Sequence, residues 1–128
     1  MKKKIAVIVV GSHFSGKSRT ISKYLKHLLG MAKRQRIALW NGFNIYIKSQ
    51  SLEESDSSID NWILKWQEFE ILVIACRPEN EMKSYLQLIK NKLQIVGFTI
   101  YEVHISKTNY NEDYYQNKAQ EIKAHFSN

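Results

Sequence analysis

Residues 5–29 constrain this chain most. An apolar run at 5–10 (IAVIVV) ends on Gly11-Ser12-His13-Phe14-Ser15-Gly16-Lys17-Ser18, and a helical repeat begins at once. A continuous apolar run rich in β-branched residues marks a strand covered on both faces. Beyond it, Ile21, Tyr24, Leu25, Leu28 and Leu29 recur at the spacing of a helix predicted over 17–29, with Gly30 as its stop. Between strand and helix the backbone must turn tightly, and Gly11 and Gly16 can take the positive φ values that such a path needs. The amides of the turn then converge with the unpaired N–H groups of the first helical turn, an arrangement that attracts anions.

The loop has the form G-x-x-x-x-G-K-S, and on these residues the chain resembles the P-loop NTPase superfamily. The resemblance implies a role for each position. Gly11 and Gly16 let the backbone approach the phosphates. Ser12, His13, Phe14 and Ser15 occupy positions where the main chain does the binding. Lys17 reaches the β- and γ-phosphates, and the Ser18 hydroxyl ligates Mg²⁺. Arg19 follows, facing solvent or the phosphate rim. ATP or another nucleoside triphosphate, with Mg²⁺, is the implied ligand. ATPase or phosphotransferase chemistry, the latter with a small-molecule phosphate acceptor, is the implied reaction.

The remaining pattern alternates strands with helices. Residues 37–40 and 43–48 around Asn41-Gly42 read as a hairpin with a type I′ turn. The alternative extends a helix through Trp40, with Gly42 as its cap. Residues 49–58 form a polar, acidic loop. Ile59, Trp62, Ile63 and Trp66 mark a second helix, 69–76 a second buried strand, and Met82, Tyr85, Leu86, Ile89 and Leu93 a third helix. Residues 94–106 read as the last strand, with Gly97 a candidate bulge. Tyr115, Ala119, Ile122 and Phe126 mark a C-terminal helix. This predicts one α/β domain over 1–128, a three-layer sandwich with a mainly parallel sheet of about five strands and helices on both faces. Ligands of such sheets bind at the carboxyl ends of the strands, which selects loops 11–18, 49–58 and 77–80.

Beyond the loop the chain departs from the family pattern. The strand at 71–76 ends in Cys76-Arg77-Pro78, where many P-loop enzymes carry an acid for Mg²⁺. Glu79 is the nearest substitute. Glu53 or Asp56 of the acidic loop could take a proton from an acceptor hydroxyl, or the loop could simply lead into the next helix. Arg77 should emerge beside the phosphates and is the second catalytic candidate after Lys17, stabilising charge on a transferring phosphoryl group. Asn91-Lys92-Leu93-Gln94 approaches the guanine-reading N-K-x-D pattern but has Gln94 in place of Asp, so ATP is the expected nucleotide. Two further readings stand beside the enzyme: a nucleotide-responsive regulator with little turnover, and a nucleic-acid-associated protein.

The third reading rests on charge. Nineteen Lys and Arg against twelve Asp and Glu give a net +7, with basic clusters at Lys2 to Lys4 and at Lys33, Arg34 and Arg36. Such a balance suits nucleotides, nucleic acid or acidic surfaces. The single Cys76 excludes an intramolecular disulfide and a cysteine-rich zinc site. His13, His27, His104 and His125 show no metal-ligand spacing. No segment reaches the length of a membrane span, and a cytoplasmic protein is expected.

Overall fold

The computed structural model describes residues 3–12, 15–54, 58–81, 83–106 and 111–128. Lys2, His13, Phe14, Asp56 and Met82, all singled out above, lie outside the described residues. Strand β1 (Ile5–Val10) pairs in parallel with β4 (Ile71–Cys76) on one side and β5 (Thr99–His104) on the other. Strand β3 (Phe43–Lys48) runs parallel to β4, and β2 (Ile37–Trp40) lies antiparallel to β3 at the edge. The sheet order is β2-β3-β4-β1-β5. All six residues of β1 and of β4 are buried, whereas β2 alternates between exposed and half-buried positions. Unbroken apolar runs therefore mark the strands that need cover on both faces.

Helices supply that cover. The helix after the loop, α1, is built of three segments, Lys17–Arg19, Thr20–Leu25 and Lys26–Leu28, the middle one π-helical. Its Ile21, Tyr24 and Leu25 pack with Tyr115, Ala119 and Ile122 of α4 (Glu112–Ala124) against Ile5, Val7 and Val9. Helices α2 (Ile59–Trp66) and α3 (Leu86–Ile95) cover the other face, where Ile63, Trp66, Ile89 and Leu93 meet Ala6, Ile8 and Val10. The architecture is α/β with one five-stranded, mostly parallel sheet and helices on both faces.

The turns carry the predicted hairpin and helix stop and revise the predicted bulge. Asn41 (φ 48°) and Gly42 (φ 81°) are both left-handed, as a type I′ hairpin turn requires, so the hairpin is present and the helix through Trp40 is not. Gly30 (φ 71°) closes α1 with Gly30 N–H to His27 O and Met31 N–H to Lys26 O. Gly97 (φ 98°) does the same for α3, with Gly97 N–H to Gln94 O and Phe98 N–H to Leu93 O. It is a helix cap and not a bulge, so residues 94 and 95 belong to α3 and the last strand begins at Thr99. The third helix starts at Leu86 and not near Met82.

Removing a fully buried side chain from the central strand should cost far more than removing an exposed one. Ile8→Ala is expected to lower unfolding stability by about 2–5 kcal/mol and Ile95→Ala by roughly 0.5 kcal/mol or less, measured by urea denaturation, since Ile8 is 0% exposed and Ile95 83%.

Candidate functional site

The sheet register brings three loops to one edge. Val10 lies level with Cys76 on one side and His104 on the other. Gly11 N–H donates to Cys76 O (3.1 Å), and Ile105 N–H donates to Val10 O (2.7 Å), so the strands are still tied where the loops leave them. From β1 the chain crosses by α1 towards the β2–β3 edge, and from β4 it crosses by α3 to the far side of β1. Adjacent strands whose connections leave in opposite directions open a crevice at their carboxyl ends. A cleft of about 520 Å³ sits there, lined by Gly11, Ser12, Pro78, Glu81, His104 and Ser106 among others.

Gly11 and Gly16 are packed too closely to carry side chains. A Cβ on Gly11 would stand 2.3 Å from Ser15 Oγ and 2.9 Å from Ile105 O. Gly16 has φ +104°, and a Cβ there would stand 2.5 Å from the Tyr115 ring. Ser15 N–H closes a turn onto Ser12 O (3.0 Å), and Thr20 N–H donates to Gly16 O (2.9 Å) as α1 begins. The Ser15 hydroxyl is buried and has no hydrogen-bond partner among the described residues. Lys17 is 6% exposed, and its Nζ reaches back across the loop to donate to the carbonyls of Gly11 and Ser12. Burial holds the Lys17 pKa below the ordinary lysine value, with Arg77 acting in the same direction. Glu54, Glu81 and Glu53 oppose that shift.

These neighbours identify the rest of the site. Arg77 leaves the end of β4 between two carboxylates, with Glu54 3.7 Å from its Nη2 and Glu81 3.7 Å from its Nε. Arg77 Nε is buried and has no hydrogen-bond partner among the described residues. Glu53 lies deeper, 3% exposed, and its carboxylate accepts from Cys76 Sγ (3.1 Å), Arg77 N–H (3.1 Å) and Tyr85 N–H (2.7 Å). It clasps the acidic loop to the 77–85 loop, so its oxygens are occupied by structural donors. Burial and the adjacent Glu53 charge push the Cys76 thiol well above its usual pKa, which makes it a buried, unreactive group.

The sequence-predicted residues fall into three sets. Gly11 and Ser12 line the cleft, Lys17 donates to their carbonyls, and Arg77 is close enough to Lys17 to perturb it, while Ser15 and Gly16 are packed within the same loop. Ser18 and Arg19 are exposed on α1, along a neighbouring cavity. Glu79 is exposed and accepts from Gln87 Nε2, and Lys3 and Lys4 donate to main-chain carbonyls of Phe126 and Gln67. Sequence reading did not anticipate Glu81, which shares the charge of Arg77, or Tyr115, which roofs Gly16. Tyr115 approaches the loop from about a hundred residues away, a contact that no local pattern encodes. Among the described residues no group of His, Cys, Asp and Glu is arranged to hold a metal ion by itself, and no helix is long and apolar enough to cross a membrane. A magnesium ion held mostly by phosphate and water needs only one or two protein oxygens.

Two substitutions separate structural from chemical roles. Glu53→Ala is expected to lower unfolding stability by about 1–3 kcal/mol because it strands buried donors, read as a fall in melting temperature. Gly16→Ala should destabilise as well, through positive φ and the Tyr115 contact, and Tyr115→Ala should relieve part of that loss in the double variant.

No protein-family model, no curated protein and no solved structure matches this chain at a significant level.

Proposed function

We propose that the chain binds a nucleoside triphosphate with Mg²⁺ through residues 11–18 and acts as an ATPase or a small phosphotransferase of the P-loop type. One observation carries this reading. A glycine-bounded turn with no room for a Cβ joins a buried strand to a helix at the switch point of a parallel sheet, with a buried ammonium laid across it. Among the described residues, two buried polar groups beside it, Ser15 Oγ and Arg77 Nε, have no hydrogen-bond partner. Native structures rarely leave such groups unused.

The roles follow from the residues. Lys17 would neutralise the phosphate tail, exchanging the carbonyls of Gly11 and Ser12 for phosphate oxygens. Ser18 is the oxygen that the motif offers to Mg²⁺, which when bound draws charge off the phosphates. Arg77 would stabilise charge on the transferring group, held in place by Glu54 and Glu81. ATP is favoured over GTP because Asn91 to Gln94 lie inside α3 and Gln94 replaces the guanine-reading acid. A regulator with little turnover is the second reading. It is favoured by one feature: β4 ends without an acid, and the buried Glu53 beside it is bound to main-chain donors.

Lys17→Ala should weaken Mg·ATP binding by about tenfold or more, because a charge-assisted hydrogen bond contributes roughly 1.5–3 kcal/mol. Isothermal titration calorimetry measures this, and unchanged affinity would refute the phosphate contact. The lowered Lys17 pKa adds a sign. Phosphate binds the protonated amine, so on the alkaline side affinity should fall once pH climbs past a point below 10.5, whereas Lys17→Arg should hold its affinity to higher pH. Phosphate release with Mg·ATP alone indicates an ATPase, release only with an added acceptor indicates a phosphotransferase, and binding without release indicates the regulator.

A further inference from the structure

A second concave site lies away from the 11–18 loop, between α1 and the hairpin. This cavity of about 390 Å³ is walled by Lys26, Lys33, Arg34, Arg36 and Lys48. Ser22, Ser49 and Gln50 add polar atoms, and no carboxylate lines it among the described residues. Lys26 is 3% exposed and donates from Nζ to Lys33 O (2.6 Å), which fixes the connecting segment against the helix. Arg34 and Arg36 are exposed, and neither is in an ion pair among the described residues. Lys48 is steadied over the Trp62 ring, 4.9 Å from its centroid.

Gathering like charges into a concave, part-desolvated space costs energy unless something neutralises it. Burial lowers the pKa of both Lys26 and Lys48, and the charge of Arg36 lowers both further. A multiply charged anion would reverse those terms, and guanidinium forks match phosphate oxygens in pairs. We infer that this cavity binds the phosphate group of a phosphorylated small molecule. An extended nucleic acid fits less well. Among the described residues its lining aromatic is Tyr46, which is 6% exposed and offers no open ring for a base to stack on. Ser22 and Lys33 also line a larger cavity of about 610 Å³ that reaches Ser18 and Arg19. The site thus adjoins the start of α1 while using its own cations, and it does not depend on the nucleotide reading.

The test is calorimetric titration of the full chain with pyrophosphate, without metal. Wild type, Lys17→Ala, the double variant Arg34→Gln/Arg36→Gln and the triple variant are compared. The expected result is saturable binding that survives Lys17→Ala and is weakened about tenfold or more by adding the Arg34 and Arg36 changes. Both arginines are exposed, so the melting temperature should not move, and an unchanged value confirms that the loss is local. No saturable binding in Lys17→Ala would overturn the proposal, as would binding that ignores Arg34 and Arg36. A single-stranded oligonucleotide that displaces pyrophosphate and binds with a steep salt dependence would overturn it in favour of a nucleic-acid surface. If Lys17→Ala changes nothing while the arginine variant loses binding, this site stands and the loop reading fails.

Discussion

The structure depends on how closely the main chain is packed at Gly11 and Gly16. Gly11 lies against the Ile105 carbonyl after β5 and Gly16 against the Tyr115 ring of α4, with contacts that exclude even a methyl group at either position. That crowding sets the direction in which α1 starts, and it brings Lys17 back over its own loop. The sheet supplies the other half of the constraint. Because β1, β4 and β5 are parallel and in level register, their ends cannot drift apart, and the loops that follow must share one edge.

Charge at that edge is nearly balanced. Two cations, Lys17 and Arg77, face three carboxylates, Glu53, Glu54 and Glu81, in a setting where burial makes each of them more consequential than it would be in water. The carboxylates divide the labour. Glu53 is locked onto Cys76, Arg77 and Tyr85 and holds the architecture, while Glu54 and Glu81 position the guanidinium. Among the described residues, no carboxylate lines the basic cavity beside α1.

Much of the fold was legible because its signals are local. Unbroken apolar runs mark β1 and β4, Asn41-Gly42 sets the hairpin, and Gly30 ends α1. Gly97 misleads because a left-handed glycine serves a bulge and a helix cap equally well, and the deciding hydrogen bond reaches back to Leu93. The π-helical turns of Thr20–Leu25 left no mark either, since apolar positions there fit ordinary helical spacing. The strand-turn-helix path that carries Lys17 was readable from the local pattern. The structural duty of Glu53 was not, because its donors lie 23 to 32 residues away in sequence. The cation wall of Lys26, Lys33, Arg34, Arg36 and Lys48 appears in the sequence as scattered charge, and folding alone brings α1 and the end of β3 to one cavity.

The central claim is that the loop amides and Lys17 hold a polyphosphate tail. A crystal structure with a non-hydrolysable ATP analogue and Mg²⁺ tests it most directly. The account predicts phosphate oxygens within hydrogen-bonding distance of the amides of residues 15–18, with the Lys17 ammonium moved from the Gly11 and Ser12 carbonyls onto the phosphates. An analogue bound elsewhere, with Lys17 still resting on those two carbonyls, would contradict it.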